Sequence, residues 1–303
     1  MADNSLQPPA TVAFIGLGKM GAPMAAHVAT GGWKVRGFDL SPAALDAFAR
    51  ANPKAVRAAS TAEVAAGADV AITMLPDGKA VRQAVLTDGV AAALGPGGLV
   101  IDMSSSSPVD TKRLGEDLAA RGVGLVDAPV SGGVKRAVEA KLTIMVGGDA
   151  VLVERCRPLL GAMGTSIYAT GPLGSGHAMK ALNNFVSAAG LVAACEALLI
   201  GRRFGLDPSL IVDILNASTG RNNSTELKAK QFILSGTFAS GFSLGLMAKD
   251  LRTAADLAEH LGVGAPMARA ACDLWASAQG SLGPDADHTE IFRFVEALDD
   301  PER

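Results

Sequence analysis

The sequence predicts an α/β chain: a doubly wound parallel-sheet domain over residues 1–170, followed by an all-α helical domain over residues 171–303. Three observations carry this. From Thr11 to about Ala169, short apolar runs of strand type alternate with helix-length stretches. That alternation implies strands buried on both faces and joined through helices, hence a mainly parallel sheet. Beyond Gly171 the strand candidates vanish and only helical spacing remains. Glycine supplies 35 of 303 residues, about 12% against a typical ~7%, and it clusters where the runs end.

The strand candidates, in order, are TVAFIG, KVRGF, DVAITML, GLVID, VGLVDAP, LTIMVGG and SIYAT, punctuated by Gly, Pro, Asp or Ser. Between them, residues 41–51 and 108–121 space Ala and Leu at helical intervals. Ser41-Pro42 and Ser107-Pro108 give each an N-cap followed by proline at the first helical position. In the second domain, 175–205 reads as one long helix. Further helices fall near 208–217, 224–234, 244–261, 266–278 and 289–298, with glycines in the gaps.

Composition removes several functional classes. A formal charge of -3 argues against nucleic acid as the main partner, because phosphate binding needs a clustered basic surface. A chain 49% hydrophobic is not disordered, and glycine without a triplet period is not collagen-like. Cys156, Cys195 and Cys272 are widely spaced and form no CxxC pair, so no metal site is expected. Free thiols fit a reducing cytosol. The stretch MADNSLQPPA has no basic or apolar leader region. The longest apolar run, 185–201, is interrupted by Ser187 and Glu196 and falls short of a clean ~20-residue span. The expected protein is cytoplasmic, with no membrane partner.

The first glycine cluster is Gly16-Leu17-Gly18-Lys19-Met20-Gly21, between an apolar strand and a helix. Alone, GxGxxG is weak; here Asp39 closes the next strand about 20 residues on, completing the dinucleotide fingerprint of a Rossmann-type domain. Gly16 permits a tight turn, Gly18 lets a pyrophosphate approach, and Gly21 lets helix pack on strand. The helix N-terminus then offers free N–H groups to the anion. A carboxylate at Asp39 accepts from ribose hydroxyls and repels a 2′-phosphate. Leu40 and Ser41 supply no arginine clamp, so NAD is expected over NADP.

Two further clusters follow. Ser131-Gly132-Gly133 before a helix presents a hydroxyl and open backbone N–H groups, an anion nest suited to a small carboxylate substrate. Gly171, Gly174 and Gly176 lead into a helix on which Lys180 and Asn184 share one face. Burying these two among apolar neighbours is costly unless they face a polar cavity. A desolvated Lys suits proton transfer near neutral pH.

Together FIGLGKMGAPMAAHV, MLPD, DMSSSSP, DAPVSGGV, LTIMVGG, GSGHAMKALNN and LMAKDL resemble the β-hydroxyacid dehydrogenase family, from Val12 to about Ala255. The resemblance implies that Gly16, Leu17, Gly18, Lys19, Met20, Gly21, Asp39, Leu75, Pro76 and Ser105 lie along NAD. It implies that Ser131, Gly132 and Gly133 hold the substrate carboxylate, that Lys180 is catalytic and that Asn184 positions the substrate. Lys249 is implied to reach the cofactor from the helical domain. The expected activity is hydride transfer between NAD and the β-hydroxyl carbon of a small 3-hydroxy acid, in a homodimer or homotetramer. The Ala-rich surface of 191–200 also suits self-association. The alternatives are an NADPH-linked reductase of a small aldehyde acid and a non-catalytic dinucleotide-binding module.

The sequence departs from the family in places. Lys135 and Arg136 stand where many relatives have small residues, and Ala140 replaces a common glycine. Two extra cations favour a more strongly anionic substrate or form a solvated helix face. Asn183-Asn184 stands where 6-phosphogluconate-type decarboxylases have His-Asn. His177, one turn before Lys180, is the second candidate base. Asn222 either bonds substrate hydroxyls or belongs to a helix cap supplied by Asn223 or Ser224. Trp33 and Trp275 read as packing residues.

Overall fold

The structure is a computed structural model describing residues 5–298. The first four residues of the N-terminal stretch read for targeting, and the last five of the helical domain, lie outside it. The chain divides into two compact units, Met1–Lys180 and Ala181–Arg303.

The first unit is built on a nine-stranded sheet. Its strands are β1 (Thr11–Ile15), β2 (Lys34–Phe38), β3 (Val56–Arg57), β4 (Val70–Thr73), β5 (Leu99–Asp102), β6 (Gly124–Asp127), β7 (Val130–Ser131), β8 (Leu142–Gly147) and β9 (Gly164–Gly171). The run β3-β2-β1-β4-β5-β6 is parallel throughout. β8 lies antiparallel to β6 and β7 and parallel to β9. β4 and β5 are buried at every position, which is why they read as unbroken apolar runs. All seven sequence-predicted runs are strands. The two that the sequence did not reveal, β3 and β7, are two residues each, too short to show a period. The strand order reverses between β1 and β4, the switch point beyond whose carboxyl ends such sheets bind ligands.

In the second unit, helices Ser175–Phe204 (which begins in the first unit), Pro208–Ala217, Leu244–His260 and Pro266–Leu282 match the predicted ones closely. The predicted 224–234 helix is instead a five-residue α-helix, Asn223–Leu227, followed by a π-helix, Ala229–Leu234. The last helix opens with a 3₁₀ turn, His288–Glu290, before Ile291–Ala297. The core gathers Ala188, Leu191, Cys195 and Leu198 of the long helix against Leu251, Trp275 and Ile291. By length and composition the long helix does meet the requirement for a bilayer span, which the sequence reading denied it; one face of it packs into the core of the helical unit. Trp33 and Trp275 are buried as expected. All three cysteines are free, Cys156 and Cys195 buried and Cys272 half-buried. Burial pushes the Cys156 and Cys195 thiols up to about 12.

Candidate active site

The glycine loop leaves β1 as its fingerprint requires. Gly16 has φ +98°, and a Cβ on it would collide with the Met74 carbonyl. A Cβ on Gly21 would strike the Gly16 carbonyl, whereas nothing lies within 4 Å of one on Gly18. The turn, the open approach and the close packing thus fall on Gly16, Gly18 and Gly21 in the expected order. Leu17 N–H donates to Asp39 Oδ2 at 2.6 Å, and Ser41 N–H donates to Oδ1 at 2.7 Å. Asp39 therefore does cap its own turn, but it also ties that turn to the glycine loop. Each oxygen keeps a further lone pair for a ribose hydroxyl. Open loop, helix N-terminus and carboxylate fit a nicotinamide dinucleotide.

Beyond β4, Leu75 N–H donates to Ser104 Oγ at 2.9 Å, which joins the Leu75-Pro76 turn to the serine loop carrying Ser105. That loop is organised by buried Asp102, which accepts from Thr73 Oγ1 (2.9 Å), Ser104 N–H (3.0 Å) and Ser106 Oγ (2.8 Å).

Asp127 begins the segment that leads to Ser131. It is fully buried. It accepts from Gly174 N–H through Oδ1 and from His177 N–H through Oδ2, both at 2.7 Å. A carboxylate here satisfies one orphan donor of the long helix, the His177 N–H, and faces its positive end. One side chain thereby fixes the start of the Lys180 helix to the strand that runs into the Ser131 turn. Ser131 is half-buried, and Gly132 and Gly133 have φ +127° and +65°. Lys180 is half-buried one turn after His177.

His177 is not placed to be a base. It is 1% exposed, its Nδ1 lies 2.8 Å from Thr111 Oγ1, and carboxylates stand at 3.6 Å (Asp102) and 3.8 Å (Asp127). It is a buried polar tie between β5, β6 and the helix Pro108–Ala119.

In the helical unit Asn184 is buried, and its Nδ2 donates to Asp250 Oδ2 at 2.5 Å. Asn183 Nδ2 donates to Asn184 Oδ1 at 3.0 Å, and Lys249 Nζ lies 3.5 Å from Asp250 Oδ1. Asp250 is the residue that sequence reasoning missed. Its signal was a carboxylate on the apolar face of 244–261, which is costly to bury unless partnered. Asn222 is itself the cap of Asn223–Leu227, accepting from Ser224 and Thr225 N–H at 2.8 and 3.1 Å; neither Asn223 nor Ser224 caps it.

A second polar cluster joins the segment before the Leu244–His260 helix to the 3₁₀ turn. Asp287 accepts from Ser240 Oγ, Gly241 N–H and Thr289 Oγ1. Burial works to raise its carboxyl, but hydrogen bonds from His288, Thr289 and Ser240 hold it well below the usual range. Burial also pushes the nearby Lys228 ammonium down to about 8, against the raising influence of Asp287 and Cys195. Among the described residues no group of three or more His, Cys, Asp or Glu stands where it could hold a metal.

Fold and site residues together define a nicotinamide-dinucleotide-dependent oxidoreductase. Residues 11–171 match the family described as the NAD-binding domain of 6-phosphogluconate dehydrogenase. Residues 174–295 match the one described as NAD-binding of NADP-dependent 3-hydroxyisobutyrate dehydrogenase. The 2-(hydroxymethyl)glutarate dehydrogenase of Eubacterium barkeri is 37% identical across 87% of each chain. The NAD-dependent L-serine dehydrogenase of Pseudomonas aeruginosa is 37% identical across 87% of this chain and 90% of its own. The solved Mycobacterium tuberculosis 3-hydroxyisobutyrate dehydrogenase with L-serine matches at TM-score 0.88 and 36% identity, over 94% of this chain and 99% of that one. The chain belongs to the β-hydroxyacid dehydrogenase family and is a dehydrogenase acting on CH–OH groups.

Proposed function

We propose that this chain oxidises the β-hydroxyl carbon of a small 3-hydroxy acid with NAD, with Lys180 as general acid/base. The observation that carries the reading is the Asp127 clamp, which fixes the start of the Lys180 helix to the segment ending in Ser131, Gly132 and Gly133. A carboxylate held by that turn and a hydroxyl offered to Lys180 describe the two functional groups of a 3-hydroxy acid. When bound, the dinucleotide supplies the hydride acceptor. Neutral Lys180 Nζ takes the hydroxyl proton as the hydride departs, and the protonated amine returns it in the reverse direction. Its charge also stabilises the developing alkoxide. Within the helical unit, Asp250 holds Asn184 and stands beside Lys249, which supports the roles in substrate and cofactor binding that the family resemblance implies for these two residues. Asp39, with no arginine beside it, supports NAD over NADP. Relatives named for 3-hydroxyisobutyrate, L-serine and 2-(hydroxymethyl)glutarate support a small 3-hydroxy acid. The free thiols support a reducing, cytoplasmic compartment, and the exposed apolar face of the long helix supports a homo-oligomer.

The test is turnover of 3-hydroxyisobutyrate, L-serine, glycerate and threonate with NAD and with NADP. Lys180→Ala is expected to lose at least a hundredfold in kcat, the low end of the ~10²–10⁴ typical of such groups, while binding NADH unchanged. Near-normal kcat in that variant overturns the role of Lys180. Preference for NADPH with aldehyde acids makes the chain a reductase instead, and absence of both turnover and dinucleotide binding removes the enzyme reading.

A further inference from the structure

We propose that Arg136 recognises a second oxyanion group on the substrate, so that this chain prefers 3-hydroxy acids carrying two anionic groups. The proposal rests on the reading of Ser131, Gly132 and Gly133 as the turn that holds the first carboxylate. Arg136 lies one helical turn beyond them, on Gly133–Val138. Helical side chains lean toward the N-terminus of their helix, and this one leans all the way onto the turn. A Cβ on Gly132 would meet Arg136 Cδ, Cβ and Cγ at 2.5, 2.8 and 3.0 Å. The whole aliphatic stem therefore lies flat against Gly132. The guanidinium carbon is only two bonds past Cδ, which puts a full positive charge beside the anion nest.

Gly132 is doubly required. Its φ of +127° disfavours other residues, and any side chain there would push the arginine stem away. The charge is also unspent. Arg57, Arg82, Arg113, Arg157, Arg202 and Arg293 each face a carboxylate. The Arg136 guanidinium makes no hydrogen bond or ion pair with another described residue. The acid nearest in sequence, Glu139, pairs with Lys141 at 3.4 Å. The turn's N–H groups and the Ser131 hydroxyl are neutral donors that match one carboxylate. The guanidinium adds a planar fork of donors that matches a second oxyanion bidentately.

The experiment is calorimetric titration of the NADH-bound protein with 3-hydroxyisobutyrate, a monoanion, and with 2-(hydroxymethyl)glutarate, a dianion. Arg136→Gln is expected to weaken the dianion tenfold or more and the monoanion less than twofold. Arg136→Lys should fall between, and Lys135→Gln should change neither by more than twofold. Equal loss for both acids would put Arg136 on the first carboxylate and overturn the proposal. No loss, or the same loss in Lys135→Gln, would reduce it to a solvated or diffuse charge and overturn it as well. Turnover with NAD is read in parallel. Absent turnover with discrimination intact sinks the proposed activity alone, and normal turnover without discrimination sinks this inference alone.

Discussion

Ala140 sits just past the Gly133–Val138 helix at φ +52°, the left-handed region. An alanine there costs about 1 kcal/mol, which glycine avoids. Ala140→Gly is expected to stabilise the chain by about 0.5 kcal/mol, since part of the gain is lost to the greater freedom of glycine in the unfolded state. Urea denaturation midpoints measure this, and a less stable variant would mean that the Ala140 methyl packs more favourably than its backbone is strained. The sequence flagged Ala140 as unusual but not its conformation, and the same divide runs through the site. The glycine fingerprint and Asp39 were legible because each is a local pattern of known spacing, and the same kind of spacing nominated Lys180 and Asn184. Asp102, Asp127 and Asp250 were not, because a carboxylate shows its purpose only through its partners. Those of Asp127 and Asp250 lie 47 and 66 residues away. Arg136 was ambiguous for the same reason: only the folded turn shows its stem lying on Gly132.

At the scale of elements, the start of the Ser175–Phe204 helix is held from three sides. Asp127 comes from β6, Asp102 from β5 and Thr111 from the helix Pro108–Ala119, all meeting at His177. The helix itself was readable from its glycines and apolar period; what fixes its first turn was not. Replacing His177 with leucine leaves two buried carboxylates and the Thr111 hydroxyl facing an apolar group. Losing a buried hydrogen bond and leaving its partner unpaired costs about 1–3 kcal/mol, and His177→Leu is expected to destabilise by about 2 kcal/mol. Because Lys180 follows one turn later, kcat should fall as well, with NADH affinity kept. His177→Asn retains a nitrogen near the Nδ1 position and should recover most of both. Equal losses in the asparagine and leucine variants would show that shape, not hydrogen bonding, holds the turn. Thr111→Val probes the same contact from the neighbouring helix and should reproduce a smaller part of the loss.

At the scale of the whole molecule, the long helix has one face too many. Ala188, Leu191, Cys195 and Leu198 are buried in the core of the helical unit. On the outer side Leu182, Val186, Ile200 and Phe204 are 44, 68, 70 and 83% exposed, and Ala193 is exposed between them. Residues 186, 193 and 200 repeat at seven, and 182 and 204 sit four residues from members of that series, so the five form one stripe. From 182 to 204 it runs about 33 Å at 1.5 Å per residue. Leu210 and Ile214 of the next helix are more than half exposed as well. Contiguous apolar surface of this length marks an association face rather than scattered exposure, and a repeat of seven is the spacing with which helices pack along one another. The chain is therefore expected to run as a homodimer or homotetramer in size-exclusion light scattering. Glutamate at both Ile200 and Phe204 places charge on the stripe without touching the buried face, and it should convert the assembly to single chains with unchanged helicity. An unaltered protein that already has the mass of one chain would leave the stripe without its partner. Retention of the full mass by the double variant would move the interface elsewhere. Where the assembly holds, the apolar outer face of the Asn184 helix is covered by a second copy. Lys180 and Asn184 then stand on a helix braced by the sheet unit at its start and by self-association along its length.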